Sequence, residues 1–380
     1  MKNILVTGGA GFIGQRLSLA LINAGHSVRI IDNFSSQVHA VQKLPEDLSA
    51  NVEVIVSDIR DRDAMKKALA GIDCIVHLAA ETGTGQSMYE IDRYFSVNVQ
   101  GTATMLDLLQ NDDCGKNVTS ITVASSRAVY GEGAYLCVQH GCVFPKQRSR
   151  DRMEAGHYEP ACPICNEALE LLPTKESAPF MPMSIYGLTK QVQEQAVLMF
   201  AHTRKINAFA LRYQNVYGPG QSLKNPYTGI LAVFSNLARQ NQHIEIYEDG
   251  MESRDFVYID DVVEATKRTA DYSGNFIGAL NVGSGISTSV MEIAQEIKKF
   301  FNSDSTIKVN GSFRLGDIRH NVACIKEVEN VLDFVPNVKF SKGIDLFLKW
   351  ASVQPSEDKA AYVRSVNELA ERGLIWVKGK

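Results

Sequence analysis

The sequence lacks three features that would each narrow its function: an excess of positive charge, a long apolar run and an internal repeat. Its 43 aspartates and glutamates outnumber its 39 lysines and arginines, giving a net charge of −4. This balance argues against a binder of nucleic acid or of anionic membranes. No stretch approaches the ~18 consecutive apolar residues of a membrane helix. The sequence also shows no internal repeat and no low-complexity segment.

Cysteine is also scarce, with seven in 380 residues, too few for a disulfide scaffold in a chain of this size. The opening "MKNILVTGG" enters a strand pattern directly, without the apolar region and cleavage site of a signal peptide. We therefore expect a cytoplasmic protein. The length and the 45% hydrophobic content are ordinary for a globular protein with two lobes.

Short apolar strand patterns alternate with helix patterns through the first half of the chain. Strands are predicted at 3–7, 27–32, 52–58, 73–80 and 118–126, with helices running to residue 24, at 61–71 and through most of 88–110. This alternation predicts an α/β fold, a Rossmann-type doubly wound parallel sheet covered on both faces. After Gly218, helices mix with isolated strands such as 243–248, which predicts a smaller second lobe of mixed α/β structure.

A glycine-rich turn joins the first predicted strand to the first predicted helix. In "VTGGAGFIG", Gly8, Gly11 and Gly14 allow the backbone to approach a pyrophosphate that rests on the helix N-terminus. Asp32 closes the second strand, where a carboxylate can bond both ribose hydroxyls and would repel a 2′-phosphate. Asp58, followed by Ile59, ends the third strand, beside the expected adenine. These residues predict binding of NAD rather than NADP.

A tyrosine and a lysine lie four residues apart in "SIYGLTKQVQEQ". This spacing places Tyr186 and Lys190 on one face at the start of a helix. The charges of a lysine ammonium and of a nicotinamide would lower the tyrosine pKa from ~10, making Tyr186 a usable base. Ser126, at the carboxyl end of a parallel strand, can bond the same substrate oxygen. We expect these three residues to be catalytic.

Together these motifs resemble a known family. The chain is similar to the extended short-chain dehydrogenase/reductases that act on nucleotide sugars. The similarity lies in the residues at 8–14, His77-Leu78-Ala79-Ala80, Asn98-Val99 with Gly101-Thr102, Ser125-Ser126, and Tyr186 with Lys190. The segments "LRYQNVYGPGQ", "SRDFVYIDDVV" and "RLGDIRH" extend the resemblance to about residue 345. The resemblance implies further contacts with NAD, made by Phe12, Ile13, Asn33, Leu78, Ala79, Ala80 and Asn98, besides Tyr186 and Lys190.

The resemblance also implies how a nucleotide sugar is held. Asn215, Arg254 and Arg314 would bind its diphosphate, and arginine forks match phosphate oxygens. Asp317 would meet the nucleotide ribose. Further contacts with the substrate are expected from Thr82, Ser126 and Arg127.

Several reactions in this family begin alike, with proton loss to the tyrosine and hydride transfer to NAD, giving a 4-keto sugar. A 4,6-dehydratase then needs an Asp-Glu pair after the serine-rich strand, and this chain has Arg127 and Ala128 there. Alanine is neither acid nor base, so elimination is disfavoured. An epimerase needs no further acid or base, because the keto sugar rotates within the site and takes the hydride back on its other face. An oxidoreductase that releases the keto sugar uses the same residues.

Three segments indicate a more specific group within the family: "HLAAETGTGQSMYEIDRYF", "ASSRAVYGEGAY" and a cysteine-containing insert. They resemble the dTDP-L-rhamnose 4-epimerase group, whose product is dTDP-6-deoxy-L-talose. The alternatives are a UDP-hexose or UDP-uronate 4-epimerase, a nucleotide-sugar oxidoreductase and, from another class, a non-catalytic NAD-binding protein.

The insert, at about 133–180, lies between Ser126 and Tyr186 and contains "CVQHGC" and "CPIC". Cys162 and Cys165 have the spacing of a zinc knuckle, and Cys137 has the same spacing to His140 or, two residues beyond it, Cys142. We expect a structural zinc site from these residues, the alternative being reduced cysteines without metal. The predicted organisation is an NAD-binding domain at 1–215, which contains the insert, and a nucleotide-sugar lobe with a C-terminal tail at 216–380.

Two features lie outside the catalytic motifs. Both the segment at 88–110 and the helix starting near Ser184 are long and amphipathic. Family resemblance implies that they pair with their copies in a homodimer. The tail at 351–380 includes a helix pattern at 356–373, for which the motifs give no function.

Overall fold

The structure, a computed structural model, describes residues 1–39, 41–223, 229–355 and 359–378. Its strands, numbered along the chain, are β1 Asn3–Thr7, β2 Ser27–Asp32, β3 Glu53–Val56, β4 Cys74–His77, β5 Ser120–Ser126, β6 Tyr135–Cys137, β7 Gly141–Val143, β8 Glu170–Leu171, β9 Asn207–Tyr213, β10 Asn215–Tyr217, β11 Ile244–Ile246, β12 Ser253–Tyr258, β13 Ile277–Val282, β14 Ser287–Ser289, β15 Ile307–Val309, β16 Phe313–Arg314 and β17 Ile375–Trp376.

The α-helices are numbered in the same way. They are α1 Phe12–Asn23, α2 Glu46–Ser49, α3 Arg62–Leu69, α4 Thr84–Ser87, α5 Ile91–Tyr94, α6 Gly101–Asn111, α7 Arg150–Glu154, α8 Ile185–Arg204, α9 Ile230–Arg239, α10 Ile259–Asp271, α11 Val290–Phe300, α12 Lys326–Leu332, α13 Phe340–Ser352 and α14 Lys359–Glu371. The helix pattern predicted at 356–373 begins in residues 356–358, which lie outside the described residues.

Seven parallel strands form the central sheet, in the order β13-β9-β5-β4-β1-β2-β3. The chain reverses direction across the sheet between β1 and β4, so the loops that follow these two strands diverge at one edge. Ligands of open parallel sheets bind at such a point. Large apolar clusters cover both faces of the sheet. The predicted Rossmann-type fold is confirmed.

The structure adds detail to one of these predictions and shortens two of the predicted strands. The segment predicted as mainly helical at 88–110 contains a six-residue π-helix, Phe95–Gln100, between α5 and α6. The strands predicted at 52–58 and 73–80 are shorter, Glu53–Val56 and Cys74–His77, because the chain turns away at the sheet edge where the loops begin.

The second lobe is assembled around smaller sheets. β12 pairs in parallel with β10 and antiparallel with β14, and β11 pairs with β15. The strand β13 comes from this later part of the sequence and extends the central sheet beside β9. The division of the chain at residue 215 stays a prediction.

The insert has a fold of its own. β6 forms an antiparallel sheet with β7 on one side and β8 on the other. Its apolar cluster is small, with four buried members: Tyr135, Cys137, Val143 and Cys162. So few apolar side chains are a weak basis for independent stability.

The tail joins the two lobes. β17 pairs antiparallel with β16, and the Trp376 ring stacks on that of Phe313 at a centroid distance of 5.1 Å. The helix α14 contacts the first lobe, where the Glu368 carboxylate accepts a hydrogen bond of 3.0 Å from the Tyr89 hydroxyl. The tail therefore holds the strand that carries Arg314 against the region that follows β4.

Candidate active site

The glycine-rich turn has the close packing expected of a phosphate cradle. Gly8 has a φ of +68°, and a Cβ there would lie 2.7 Å from the Ala79 backbone nitrogen. A Cβ at Gly14 would lie 2.5 Å from the Gly8 carbonyl oxygen. α1 begins just after Gly11, which offers no side chain to its first amides. These N–H groups face the cleft and suit an anion.

Asp32 lies buried at the end of β2, beside this turn. One carboxylate oxygen accepts a hydrogen bond of 3.0 Å from the Ala10 amide, and the other accepts one of 2.8 Å from the Phe34 amide. The carboxylate therefore also organises the loops on which a dinucleotide would rest. Its position is the one predicted for a ribose ligand.

Asn33 and Asp58 meet at the ends of β2 and β3. The Asn33 amide donates a hydrogen bond of 3.2 Å to Asp58. Hydrogen bonding from the Arg60 side chain holds the pKa of Asp58 below its usual value, so this carboxylate is ionised at neutral pH. The pair borders the predicted adenine end of the cleft.

A single cleft of about 630 Å³ brings most of the predicted residues together. Two predicted contacts, Asn98 and Lys190, do not line it and lie just behind its wall. The predicted residues that do line it are Gly8, Gly11, Phe12, Ile13, Gly14, Asp32, Asn33, Asp58, Ile59, Leu78, Ala79, Ala80, Thr82, Ser126, Arg127, Tyr186, Asn215, Arg254, Arg314 and Asp317.

Asn98 braces the loop after β4 from below. Its side-chain oxygen accepts a hydrogen bond of 2.7 Å from the Glu81 amide, and its nitrogen donates to the Glu81 carbonyl oxygen and to Thr189. The structure thus gives Asn98 a positioning contact with the loop that carries Thr82.

Ser126 and Tyr186 both line the cleft, where the Ser126 hydroxyl lies near enough to Tyr186 to favour the ionised form of the tyrosine. Ser126 ends β5, and its oxygen also accepts a hydrogen bond of 3.2 Å from the Ala128 amide. Tyr186 lies in the first turn of α8, whose N-terminus is capped by Ser184. A rigid strand and a capped helix therefore hold the two hydroxyls together.

Lys190 lies one turn further along α8. Its ammonium nitrogen donates a hydrogen bond of 2.9 Å to the Ala124 carbonyl oxygen. Burial lowers the pKa of Lys190 to about 7. Burial likewise raises the pKa of Tyr186, against the opposing effects of the Ser126 hydrogen bond and the Arg127 charge. In the chain alone, the tyrosine pKa is therefore not lowered as expected from the sequence.

A buried ion pair fixes α8 against the sheet. The Glu194 carboxylate accepts hydrogen bonds of 2.5 Å from Ser125 and from Arg212, which lie on β5 and β9. Ser125 directly precedes Ser126, so the same contact that seats α8 also fixes the distance between Ser126 and the helix carrying Tyr186.

Two basic side chains extend the cleft toward the second lobe. The Arg127 guanidinium donates a hydrogen bond of 3.1 Å to the Asn215 side-chain oxygen. Burial lowers the pKa of Arg127 to about 10, and the Arg254 charge adds to this effect. The two cations thus lie close enough to repel each other, an arrangement that an anionic ligand between them would relieve.

Arg254 and Arg314 lie on β12 and β16, at the second-lobe wall. The Arg254 guanidinium donates to three carbonyl oxygens, those of Ser253, Ile318 and Arg319, at 2.8–3.0 Å. The guanidinium carbon of Arg314 lies 5.1 Å from the centroid of the Tyr247 ring. Backbone carbonyls orient one arginine and an aromatic ring orients the other.

The sequence prediction missed many residues of the cleft lining, among them Tyr247 and Glu252. Both lie between β11 and β12, where only nearness to the Arg254 motif could have indicated them. Burial raises the pKa of Glu252 to about 7. Among the described residues its Oε2 has no hydrogen-bond partner, although Arg319 lies 3.8 Å away.

The cysteine cluster of the insert lies apart from the cleft lining. The side chains of Cys137, His140, Cys162 and Cys165 place one potential ligand atom each within 4.8 Å of one another. Cys142, the alternative to His140, lies outside this set and is exposed. The structure thus favours His140 over Cys142. In the part of the chain that the structure describes, no helix is long and apolar enough to cross a membrane.

Comparison with known proteins identifies the family to which this chain is similar. A family model described as the NAD dependent epimerase/dehydratase family matches residues 4–147 and 162–283. The chain is 39% identical to a dTDP-L-rhamnose 4-epimerase of Burkholderia thailandensis over 352 residues, covering 92% of this chain and 94% of the relative.

Solved structures agree with the fold and the cofactor. A UDP-N-acetylglucosamine 4-epimerase from Methanobrevibacter ruminantium M1, in complex with UDP-N-acetylmuramic acid, matches with a TM-score of 0.75 at 29% identity, over 93% of this chain and 99% of that one. A UDP-glucuronic acid 4-epimerase from Bacillus cereus, in complex with UDP-glucuronic acid and NAD, matches with a TM-score of 0.73 at 25% identity, over 92% and 99%. The sequence predicted an NAD-dependent sugar-nucleotide epimerase of the extended short-chain dehydrogenase/reductases, and this class is confirmed at the level of the family. The chain therefore belongs to the NAD-dependent epimerase/dehydratase family.

Proposed function

We propose that this protein is an NAD-dependent nucleotide-sugar 4-epimerase that interconverts dTDP-L-rhamnose and dTDP-6-deoxy-L-talose. The observation that carries the proposal is the Ser126–Tyr186 hydroxyl pair, which faces a cleft between the glycine-rich turn and a wall of arginines. The 39% identity to a dTDP-L-rhamnose 4-epimerase supports the choice of sugar.

The residues of the first lobe fit NAD. Gly8 and Gly14 let the turn, α1 and the loop after β4 pack backbone against backbone, which leaves the open N-terminus of α1 at the cleft. Asp32 lies where a ribose would be held, and its negative charge disfavours a 2′-phosphate. When bound, NAD supplies the acceptor and donor of the hydride at C4 of the sugar.

Tyr186 and Ser126 act on the hydroxyl group at C4 of the sugar, and Tyr186 accepts its proton. Ser126 bonds the C4 oxygen while the phenolic oxygen of Tyr186 takes the hydroxyl proton, leaving a 4-keto sugar. On re-reduction of the opposite face, Tyr186 returns the proton to the same oxygen. Because burial raises the pKa of Tyr186, this step depends on positive charge nearby, contributed by Arg127 and by the ammonium form of Lys190.

Epimerisation rather than elimination follows from the residues next to Ser126. Arg127 and Ala128 line the cleft at the positions where a 4,6-dehydratase needs its acids. The Ala128 methyl group cannot move a proton. A simple oxidoreductase would use the same three catalytic residues and stays the alternative reaction.

The second-lobe wall suits a sugar nucleotide. Arg127, Arg254 and Arg314 supply positive charge toward a diphosphate, Asn215 is oriented by Arg127, and Asp317 lies beside Arg314 for the ribose. A UDP-hexose or UDP-uronate is the second candidate substrate, because the solved relatives hold UDP-sugars.

The test is a panel of dTDP-, UDP- and GDP-sugars, with product stereochemistry read by NMR. Conversion of dTDP-L-rhamnose to its C4 epimer is the expected result. If only UDP-sugars are converted, the proposed substrate is wrong and a UDP-sugar takes its place. Accumulation of a keto sugar would indicate an oxidoreductase. Absence of both turnover and transient NADH fluorescence with every sugar would leave a non-catalytic NAD-binding protein.

We also propose that the chain forms a homodimer through the helical segment at 88–110 and α8. These helices expose the apolar side chains of Ile91, Leu188 and Met199, of which Met199 is 72% exposed. Another copy of the same face would cover them. Light scattering should give twice the chain mass, and Met199→Glu should lower it. The cytoplasmic location and the division at residue 215 stay predictions.

A further inference from the structure

We infer that Cys137, His140, Cys162 and Cys165 bind one Zn²⁺ ion in a structural site within the insert. All four ligand atoms lie within 4.8 Å of one another. Three thiolates and one imidazole are a frequent ligand set for structural zinc. Because the protein supplies all four ligands, no position is left for a substrate.

Three of the six distances between the ligand atoms match the edges of a tetrahedron around zinc. Zn–S and Zn–N bonds of about 2.3 and 2.0–2.1 Å place two sulfurs about 3.8 Å apart, and a sulfur and a nitrogen about 3.6 Å apart. The Cys137 and Cys165 sulfurs are 3.7 Å apart. The His140 Nδ1 lies 3.4 Å from the Cys137 sulfur and 3.6 Å from that of Cys162. A disulfide between Cys137 and Cys165 would need sulfurs only about 2.0 Å apart.

Sheet geometry separates Cys142 from the site. In the β6–β7 hairpin, Cys142 is opposite Leu136, whereas Cys137 is opposite Gly141. Directly opposed residues of an antiparallel pair point to the same face, and neighbours along a strand point to opposite faces. Cys142 therefore projects away from Cys137, which makes it an internal control for the ligand set.

The second pair of cysteines lies in a turn that is already closed by backbone hydrogen bonds. The Cys162 amide donates to the Glu167 carbonyl oxygen, and the Asn166 amide donates to that of Cys162, both at 2.9 Å. Asn166 adopts a φ of +63°, which ends the turn. The turn holds Cys162 and Cys165 on the side that faces the hairpin.

The metal would stabilise the part of the insert around β6, β7 and β8, where the apolar cluster is small. The insert buries four apolar residues in its cluster, and two of them, Cys137 and Cys162, are themselves ligands. Binding a metal ion supplies the missing folding free energy in domains of this kind.

The insert in turn supports the second-lobe wall. Arg148, buried at its centre, forms ion pairs with Glu132 at 3.0 Å and with Glu248 at 2.9 Å. It also donates a hydrogen bond of 2.9 Å to the Asp317 carbonyl oxygen. Loss of the metal is therefore expected to loosen the insert first and the Asp317 region second.

The test is metal analysis of the full chain purified without chelator and without a metal-affinity tag. We expect about one zinc per chain, lost in Cys162→Ser and retained in Cys142→Ser. Limited proteolysis should then cut Cys162→Ser within 133–180, while NAD still binds. Metal-free protein with an intact insert, or a disulfide found by mass spectrometry, would overturn the inference.

If Cys162→Ser does not fold, the wild-type protein provides a second measurement. Stepwise thiol modification with an organomercurial, in the presence of a chromogenic chelator, should release one equivalent of zinc as the cysteines react. Thiol reaction without zinc release would contradict the site. Neither readout uses epimerase activity, so this inference and the proposed function fail independently.

Discussion

The ammonium nitrogen of Lys190 lies 6.0 Å from the centroid of the Tyr186 ring, one turn away on α8. Lys190 is buried and Tyr186 is half-buried in the cleft wall, and burial shifts their pKa values in opposite directions. It lowers the pKa of Lys190 to about 7 and raises that of Tyr186. Each change favours the neutral form, so burial alone opposes the charged state that catalysis requires.

Lys190→Met should remove a pH dependence from the stability of the cofactor-free protein. The Lys190 pKa is about 7 in the folded chain and about 10.4 when unfolded. Between these values the unfolded state binds more protons, so the free energy of unfolding should rise with pH. Urea unfolding at pH 6, 8 and 9.5 should show a smaller rise in Lys190→Met than in the wild type. The control is Lys342→Met, at an exposed lysine; equal slopes in all three proteins would contradict the prediction.

Tyr186→Phe should retain NAD and lose turnover. The substitution removes the hydroxyl that lies near Ser126 in the cleft and leaves the glycine-rich turn intact. General acid–base groups contribute about 10²- to 10⁴-fold to rate, and a loss of that size is expected. Tyr272→Phe, on the opposite side of the sheet against Phe209, is the matched control. Turnover within about tenfold of the wild type would exclude Tyr186 as the base.

Asp32→Ala should weaken NAD binding and reduce the preference for NAD over NADP. The carboxylate faces the cleft and also accepts hydrogen bonds from Ala10 and Phe34. Asp32→Asn removes the charge but keeps an acceptor for one of these two amides, so it disturbs the loops less than Asp32→Ala while it removes the repulsion of a 2′-phosphate. Dissociation constants for both dinucleotides, measured by fluorescence, provide the test. An unchanged NAD/NADP ratio in both variants would show that Asp32 is not the ribose ligand.

Arg254→Met should raise the KM for the nucleotide sugar without changing NAD affinity. Three carbonyl oxygens orient this guanidinium at the cleft wall. Losing a charged hydrogen bond to a phosphate costs about 1.5–3 kcal/mol, which is about a 10- to 160-fold change. Arg150→Met, at an exposed arginine of the insert, serves as the control. Equal KM values in the two variants would argue against a diphosphate contact at Arg254.

Sequence reasoning located the first lobe well because its signals are local. The glycine spacing, Asp32 at a strand end and the spacing of Tyr186 and Lys190 each follow from a short stretch of chain. The buried network of Arg148 and Arg319 with their glutamates could not be predicted, because its members lie far apart in the sequence and no spacing relates them. The direction of the Tyr186 pKa shift was missed for a similar reason. It depends on burial by several elements at once.

The pairing of β17 with β16 has a consequence for how the protein is made. The amide of Leu315, next to Arg314, bonds the Leu374 carbonyl oxygen, a residue translated long after it. Chains begin to fold from their N-terminus during synthesis. The residues that form the dinucleotide site are therefore synthesised long before β17, the partner of β16 in the second-lobe wall. A nascent chain on the ribosome would therefore recognise the cofactor before it could select a sugar.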